Sequence, residues 1–193
     1  MTETRVEQPE QDERALVLAA QRGDRNAFRA LYERYRDRLN NLIFYTLGDA
    51  GWAEDVLQIV FIKIYKGLPG FRYQSSPATW MYRIALNECL NQQQRRGVAH
   101  VPFEEILGSG DELDRTTLPD LAHADRERRE IIGQAVMELS PRLRAVVVLK
   151  YVEGLSYDEM AQVLDCSPGT VASRLSRALR QLEARLRPFK RVL

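Results

Sequence analysis

Between Phe71 and Arg96 the chain reads FRYQSSPATWMYRIALNECLNQQQRR. Phe71, Tyr73, Trp80 and Tyr82 alternate there with Arg72, Arg83 and the hydroxyls of Ser75, Ser76 and Thr79. Rings interleaved with cations and hydroxyls suit unpaired nucleic acid, because bases stack on rings or fill pockets while the cations hold the backbone. Further on, Arg83, Asn87, Asn91 and Gln94 recur at helical spacing. Asn and Gln amides can read base edges with Arg on phosphate. Trp80, Ile84, Ala85 and Cys89 are expected on the opposite face; the plainer alternative is an ordinary amphipathic helix with its tryptophan in the core.

A second chemistry lies in GLSYDEMAQVLDCSPGTVASRLSRAL, from Gly154 to Leu179. Ser156 and Glu159 form an S-x-x-E capping box that opens one helix. Ser167 followed by Pro168 gives the next helix its N-cap and its N1 proline. Leu164, Asp165 and Cys166 leave room only for a tight turn, small Ala161 sits where the helices cross, and Val171 and Leu175 face back into the pair. This is the layout of a helix-turn-helix, whose second helix lies in the DNA major groove. A short helical hairpin within an all-α core is the plainer alternative. From Cys166 onward Arg174, Arg177, Arg180, Arg185, Arg187, Lys190 and Arg191 face a single acid, Glu183. Cations gathered on the reading helix and its tail fit phosphate contact, although the whole chain carries a net charge of only +1.

Other chemistries find little support. Cys89 and Cys166 stand far apart, and neither His100 nor His123 is near them in sequence, so a zinc site or a disulfide framework is not expected. Both thiols read as small buried apolar groups. Glu54 and Asp55, or Asp158 and Glu159, offer carboxylates to a metal-dependent nuclease, but adjacent residues on a helix diverge and make no ready chelate. The first residues, MTETRVEQPEQD, lack an apolar signal core, and no apolar run approaches a membrane span. The expectation is a soluble, cytoplasmic chain with no metal, cofactor or small-molecule substrate.

The elements that must position these residues are helical throughout. Asp12 to Arg22 reads as a short helix ending at Gly23, with Leu16, Ala19 and Ala20 inward. Asp24 caps a longer one in which Phe28, Leu31, Tyr32, Tyr35, Leu39, Leu42 and Ile43 recur at helical spacing, with Gly48 and Gly51 breaking it. A third runs from about Ala53 to Lys66, and Ser76-Pro77 opens a fourth that reaches about Gln93. The stretch from Val98 to Glu127 has scattered Gly and Pro, excess acid and no sustained period, and reads as a linker. Helical pattern resumes from Arg126, and Ser140-Pro141 starts a helix that stops at Gly154. The third helix is too apolar for one buried stripe: Val56, Leu57, Ile59, Val60, Phe61, Ile62, Ile64 and Tyr65 cover far more than a 100° face. The excess points to a protein partner, against the alternative of a helix central to its own bundle.

Three blocks, AEDVLQIVFIKIYKGLPGFR, TWMYRIALN and LSPRLRAVVVLKYVEGLSYDEMAQVLDCSPGTVASRLSRA, resemble in order and separation the extracytoplasmic-function (ECF) subfamily of bacterial RNA polymerase sigma factors. The resemblance runs from about Leu18 to Leu182 apart from the linker. It implies an all-α chain of two small helical domains on a flexible linker: a tail at 1–11, a region 2 bundle at 12–96, the linker at 97–126 and a region 4 helix-turn-helix domain at 127–193. It implies that Asp55, Gln58, Phe61, Ile62 and Lys63 dock on core RNA polymerase. Phe71, Arg72, Ser76, Thr79, Trp80, Arg83 and Asn87 would capture melted minus-ten bases. Thr170, Ser173, Arg174, Ser176 and Arg177 would lie in the major groove of the minus-thirty-five element. The partners implied are core polymerase, promoter DNA as duplex and as melted strand, and an anti-sigma factor, with no enzymatic step. Two positions depart from the family pattern: Ile59 follows Gln58 where Glu is usual, and Ala172 stands where a Lys or Arg is usual. A conventional helix-turn-helix regulator would explain the C-terminal half, but not the interleaved rings at 71–83 or the over-apolar third helix.

Overall fold

A computed structural model describes residues 7–96 and 119–189. The chain is all-α, and among the described residues no strand occurs. Its helices are α1 (Glu7–Gln21), α2 (Arg25–Leu47), α3 (Ala50–Gly67), α4 (Pro77–Arg96), α5 (Pro119–Met137), α6 (Pro141–Val147), α7 (Tyr157–Leu164) and α8 (Pro168–Leu186). They form two helical domains, α1–α4 and α5–α8. Residues 1–6, the linker residues 97–118 and the cations Lys190 and Arg191 lie outside the described residues, and the end of the expected tail, 7–11, is helix. α5 begins at Pro119, so the end of the expected linker, 119–126, is helix.

Local chemistry sets most of the boundaries. The Asp24 carboxylate accepts from the backbone N–H groups of Asn26 at 2.8 Å and Ala27 at 3.2 Å and starts α2. Gly48 ends it at φ +84° in the left-handed region, donating its N–H to the Phe44 carbonyl. Gly51 does not break the chain, contrary to the sequence reading. The Asp49 carboxylate caps the Trp52 N–H at 2.6 Å, so α3 begins at Ala50 and Gly51 sits in its first turn, where missing intrahelical bonds make glycine tolerable. In the C-terminal domain the Ser156–Glu159 capping box forms in both directions, and Ser167 caps the Thr170 N–H at 3.1 Å. Asp165 takes the left-handed cap between α7 and α8, at φ +50°.

Burial follows the periodicity. In the first domain, Leu31, Tyr35, Leu39, Leu42 and Ile43 of α2 form a spine against Val56, Val60 and Ile64 of α3 and Met81, Tyr82, Ala85 and Cys89 of α4. Burial pushes the Cys89 thiol up to about 12, which suits an inert apolar group. Cys166 is only partly buried, with Arg174 donating weakly to its sulfur at 3.7 Å. The second core gathers Leu139, Val146, Leu149, Met160, Val163, Val171, Leu175 and Ala178. The expected helix from Pro141 to Gly154 is not uniform. It passes from α6 into a single π turn, Val148–Val152, before Gly154 at φ +71° closes it. The domains touch: α7 packs on α4, and α6 on α2.

Candidate nucleic-acid interface

The loop from Leu68 to Ser76 is held from behind. The Gln21 amide of α1 donates to the carbonyls of Leu68 at 3.0 Å and Phe71 at 2.7 Å, which ties the start of the loop to α1. Tyr73 adopts φ +56°, a left-handed conformation costing a non-glycine residue about 1–2 kcal/mol, and its ring lies under the Arg14 guanidinium at 5.2 Å. Ser76 then caps α4, its hydroxyl accepting from the Thr79 N–H at 3.1 Å. Phe71 stacks at 4.9 Å on Trp80 and at 4.8 Å on Tyr73.

These contacts open a cleft of about 390 Å³ between the end of α3 and the exposed flank of α4, lined by Lys63, Gly67, Phe71, Trp80, Ile84 and Asn87. Its size fits a small planar group held between apolar walls and a few polar atoms. Trp80, Ile84 and Asn87 stand one helical turn apart on a single stripe, so the tryptophan is not opposite the polar face as the sequence reading placed it. Gly67 makes room for the indole: a Cβ there would lie 3.1 Å from Trp80 Cζ2. A second cleft, of about 480 Å³, continues past Phe71 and Trp80 to Arg72, Thr79 and Arg83.

Of the residues expected to take melted bases, Arg72, Arg83 and Asn87 are exposed, Trp80 is half-buried, and Phe71 and Thr79 are buried with atoms at the cleft walls. Ser76 is occupied as a helix cap and by the Thr79 hydroxyl at 2.8 Å. Tyr82, counted among the interleaved rings, is wholly buried, and its hydroxyl donates to Glu153 of the second domain. Lys63 belongs to this cleft rather than to the outer face of α3. It forms an ion pair with the buried Glu88 of α4. Burial pushes the Glu88 carboxyl up, but hydrogen bonds from Lys63 and Gln92 outweigh it and hold the group below the ordinary carboxylate range.

The outer face of α3 presents Asp55, Gln58, Ile62 and Tyr65 in one stripe, with Ile62 54% and Tyr65 52% exposed. Phe61 is not on it: the ring is 7% exposed and packs on Tyr32 at 4.5 Å, so it is a core residue. Phe28 meets the edge of Tyr65 at 4.9 Å, and the aromatic ridge thus extends onto α2.

On α8, Ser173, Ser176, Arg177 and Arg180 are exposed, while Thr170 and Arg174 are partly buried. Thr170 shares a 2.9 Å hydrogen bond with Ser167, and the Ser173 hydroxyl donates back to the Thr170 carbonyl. Arg185 is paired with Glu138, in the turn just past α5, which removes it from the free cationic surface. Glu88, Gln21 and Gly67 escaped sequence reasoning; Ile84 was read only as part of the apolar face, although its spacing from Trp80 and Asn87 places it in the cleft. Among the described residues no group of three His, Cys, Asp or Glu could hold a metal ion, and no helix is long and apolar enough to cross a membrane.

Residues 31–98 match the model of Sigma-70 region 2, and residues 129–182 that of Sigma-70, region 4. The chain is 36% identical to the RNA polymerase sigma-H factor of Pseudomonas aeruginosa, over 94% of its own length and 97% of that protein's. It is 33% identical to the ECF RNA polymerase sigma-E factor of Escherichia coli, over 93% and 96%. Among solved structures it resembles CnrH in complex with the cytosolic domain of CnrY, with a TM-score of 0.65 and 24% identity over 92% of this chain and 98% of that one. It also resembles the sigma factor RpoE in complex with the anti-sigma factor NepR from Bartonella quintana, at a TM-score of 0.65 and 23% identity over 83% and 96%. At these identities the structural likeness is one of fold.

Proposed function

Because this chain belongs to the extracytoplasmic-function family of RNA polymerase sigma factors, we propose that its surfaces divide promoter recognition between a strand-capturing cleft on α4 and a duplex-reading helix α8. The chain is an alternative sigma factor that directs core RNA polymerase to specific promoters, and an anti-sigma factor controls it. Polymerisation belongs to the polymerase, and the sigma chain supplies selection and opening. The outer stripe of α3, Asp55 to Tyr65, docks on the core enzyme. In the cleft, an unpaired base stacks against Trp80 and Phe71, Asn87 meets its polar edge, and Lys63, Arg72 and Arg83 hold the backbone. α8 lies in the major groove with Ser173, Ser176 and Arg177 toward the bases.

The observation that carries this reading is the cleft. An indole, an aliphatic side chain and an amide stand on successive turns of α4, with cations on both sides; Trp80 and Ile84 pack partly on the core and turn their remaining surface to the cleft. A duplex-binding regulator has no use for such a recess. The test is promoter opening by polymerase reconstituted with Trp80→Ala or Asn87→Ala, followed by permanganate footprinting. Opening of duplex promoters should fall at least tenfold, about 1.4 kcal/mol and within the range for one lost base stack, while binding to the upstream duplex element is unchanged. Equal defects on duplex and pre-melted templates, or no defect, would refute capture in the cleft.

A further inference from the structure

The two domains close on each other, and what they close over is the cleft assigned to the melted strand. One wall of the second cleft is Phe71, Trp80 and Arg83; the other is Gln162 of α7 and Asp165, its left-handed cap. Arg83 Nη2 lies 3.8 Å from the Asp165 carboxylate. An acid and an amide therefore occupy the side from which a phosphate backbone would approach. Both members of that ion pair are well solvated, so it does not hold the domains together.

The grip lies at Glu153, whose side chain is 2% exposed. One oxygen, Oε2, accepts from Arg38 Nε at 2.9 Å and from the Tyr82 hydroxyl, both in the first domain. The Arg38 guanidinium rests over the rings of Tyr35 and Tyr82 at 5.6 Å each, which orients it from within its own domain. A carboxylate this deeply buried is tolerable only while such donors are present. The π turn delivers it. Glu153 N–H bonds the Val148 carbonyl at 3.0 Å, five residues back, and the wider turn shifts Glu153 off the α-helical register by roughly the 100° of one residue.

The same seam contains an opposing element. Arg144 of α6 is buried against the end of α2, beside Gly48, and among the described residues no carboxylate pairs with it. Its Nη1 donates to Met137 Sδ at 3.4 Å, its Nε has no partner, and burial pulls the guanidinium down to about 10. The C-terminal carbonyls of α2 favour a cation there, but a guanidinium so poorly bonded gains on returning to water.

We propose that the free chain caps itself: Glu153, gripped by Arg38 and Tyr82, seats α7 over the Phe71–Arg83 cleft, and the domains must part before a strand can enter. This rests on the cleft being the strand site, and the test separates the two. Small-angle scattering and fluorescence anisotropy with a randomised single-stranded DNA pool are applied to the full chain and to Arg38→Gln and Glu153→Gln. Both variants should show a larger radius of gyration and bind the pool about tenfold more tightly, the gain when a competent fraction of roughly one-tenth becomes nearly whole. Adding Trp80→Ala should remove that gain. If both variants stay as compact as the parent and bind no better, or if the parent already scatters as an extended pair of domains, the latch is refuted. Expansion without tighter binding leaves the latch and overturns the strand site. Arg38 is half-exposed on α2, so Arg38→Gln decides the matter should Glu153→Gln melt early.

Discussion

Ile62 gives the sharpest test of polymerase docking, because it is apolar, exposed and unnecessary to the fold. Its side chain is 54% exposed in the free chain, beside Tyr65 at 52%. Burying a whole isoleucine is worth about 1.5–3 kcal/mol, so docking that covers the remaining half gains about 0.8–1.5 kcal/mol from this residue. Ile62→Ala should therefore weaken core binding about four- to tenfold. Ile62→Glu goes further, since a carboxylate must be desolvated in the same contact, and should cost about 3 kcal/mol, more than a hundredfold. Neither change touches the core, so thermal melting should shift little. Phe61→Ala is the contrast: it removes a buried ring from Tyr32 and should cost the fold about 3–5 kcal/mol. The assay is a fluorescence titration of core polymerase with labelled chain, alongside a melting curve for each variant. Ile62→Glu folding normally and binding core as tightly as the parent would refute the docking face.

Upstream recognition should separate into reading and anchoring on α8. Arg177→Ala should cost about 1–3 kcal/mol on the preferred element and little elsewhere, whereas Arg180→Ala should weaken all duplexes alike and reduce the salt slope by about one, both measured by salt-dependent DNA titration. Arg185→Ala should change the slope less, since Glu138 already neutralises it. The Lys63–Glu88 pair makes an acid-sensitive contribution. The folded carboxyl lies below its ordinary value of 4.5, so the stabilisation is complete above that pH and is lost as pH falls through the lower folded value. Glu88→Gln should therefore lower the melting temperature at pH 7 and narrow the gap to the parent toward pH 3, as read by circular dichroism.

Local signals were legible and long-range ones were not. The caps at Asp24, Ser156 and Ser167 are determined within three residues of chain, so they could be read directly. Gly51 was misread because glycine as a breaker competes with Asp49 as a cap, and the 2.6 Å bond to Trp52 prevails. The excess apolar surface of α3 was visible, but periodicity alone does not say which neighbour covers which residue. Phe61 was accordingly placed outside when Tyr32 covers it, and Lys63 was placed on the docking face when Glu88 draws it to the other side. Trp80 was read as a base-capturing residue with burial in the core as the plainer alternative, and Gly67 and Phe71 form a half-open seat for it. Glu153 gave no sign of its role, since its partners lie 115 and 71 residues away.

The two hydrogen bonds from Gln21 mean that the first helix is a tie-rod for the recess beyond α3, although it contributes no wall to it. Replacing that one amide would leave the bundle's spine intact while releasing the carbonyls of Leu68 and Phe71, whereas losing the whole helix would also strip Val17 and Ala20 from the core. A genetic screen for loss of promoter opening would then return changes near the N-terminus, far from any base. A Gln21→Ala chain should keep its helical content, dock on polymerase through α3 and still be unable to grasp a strand.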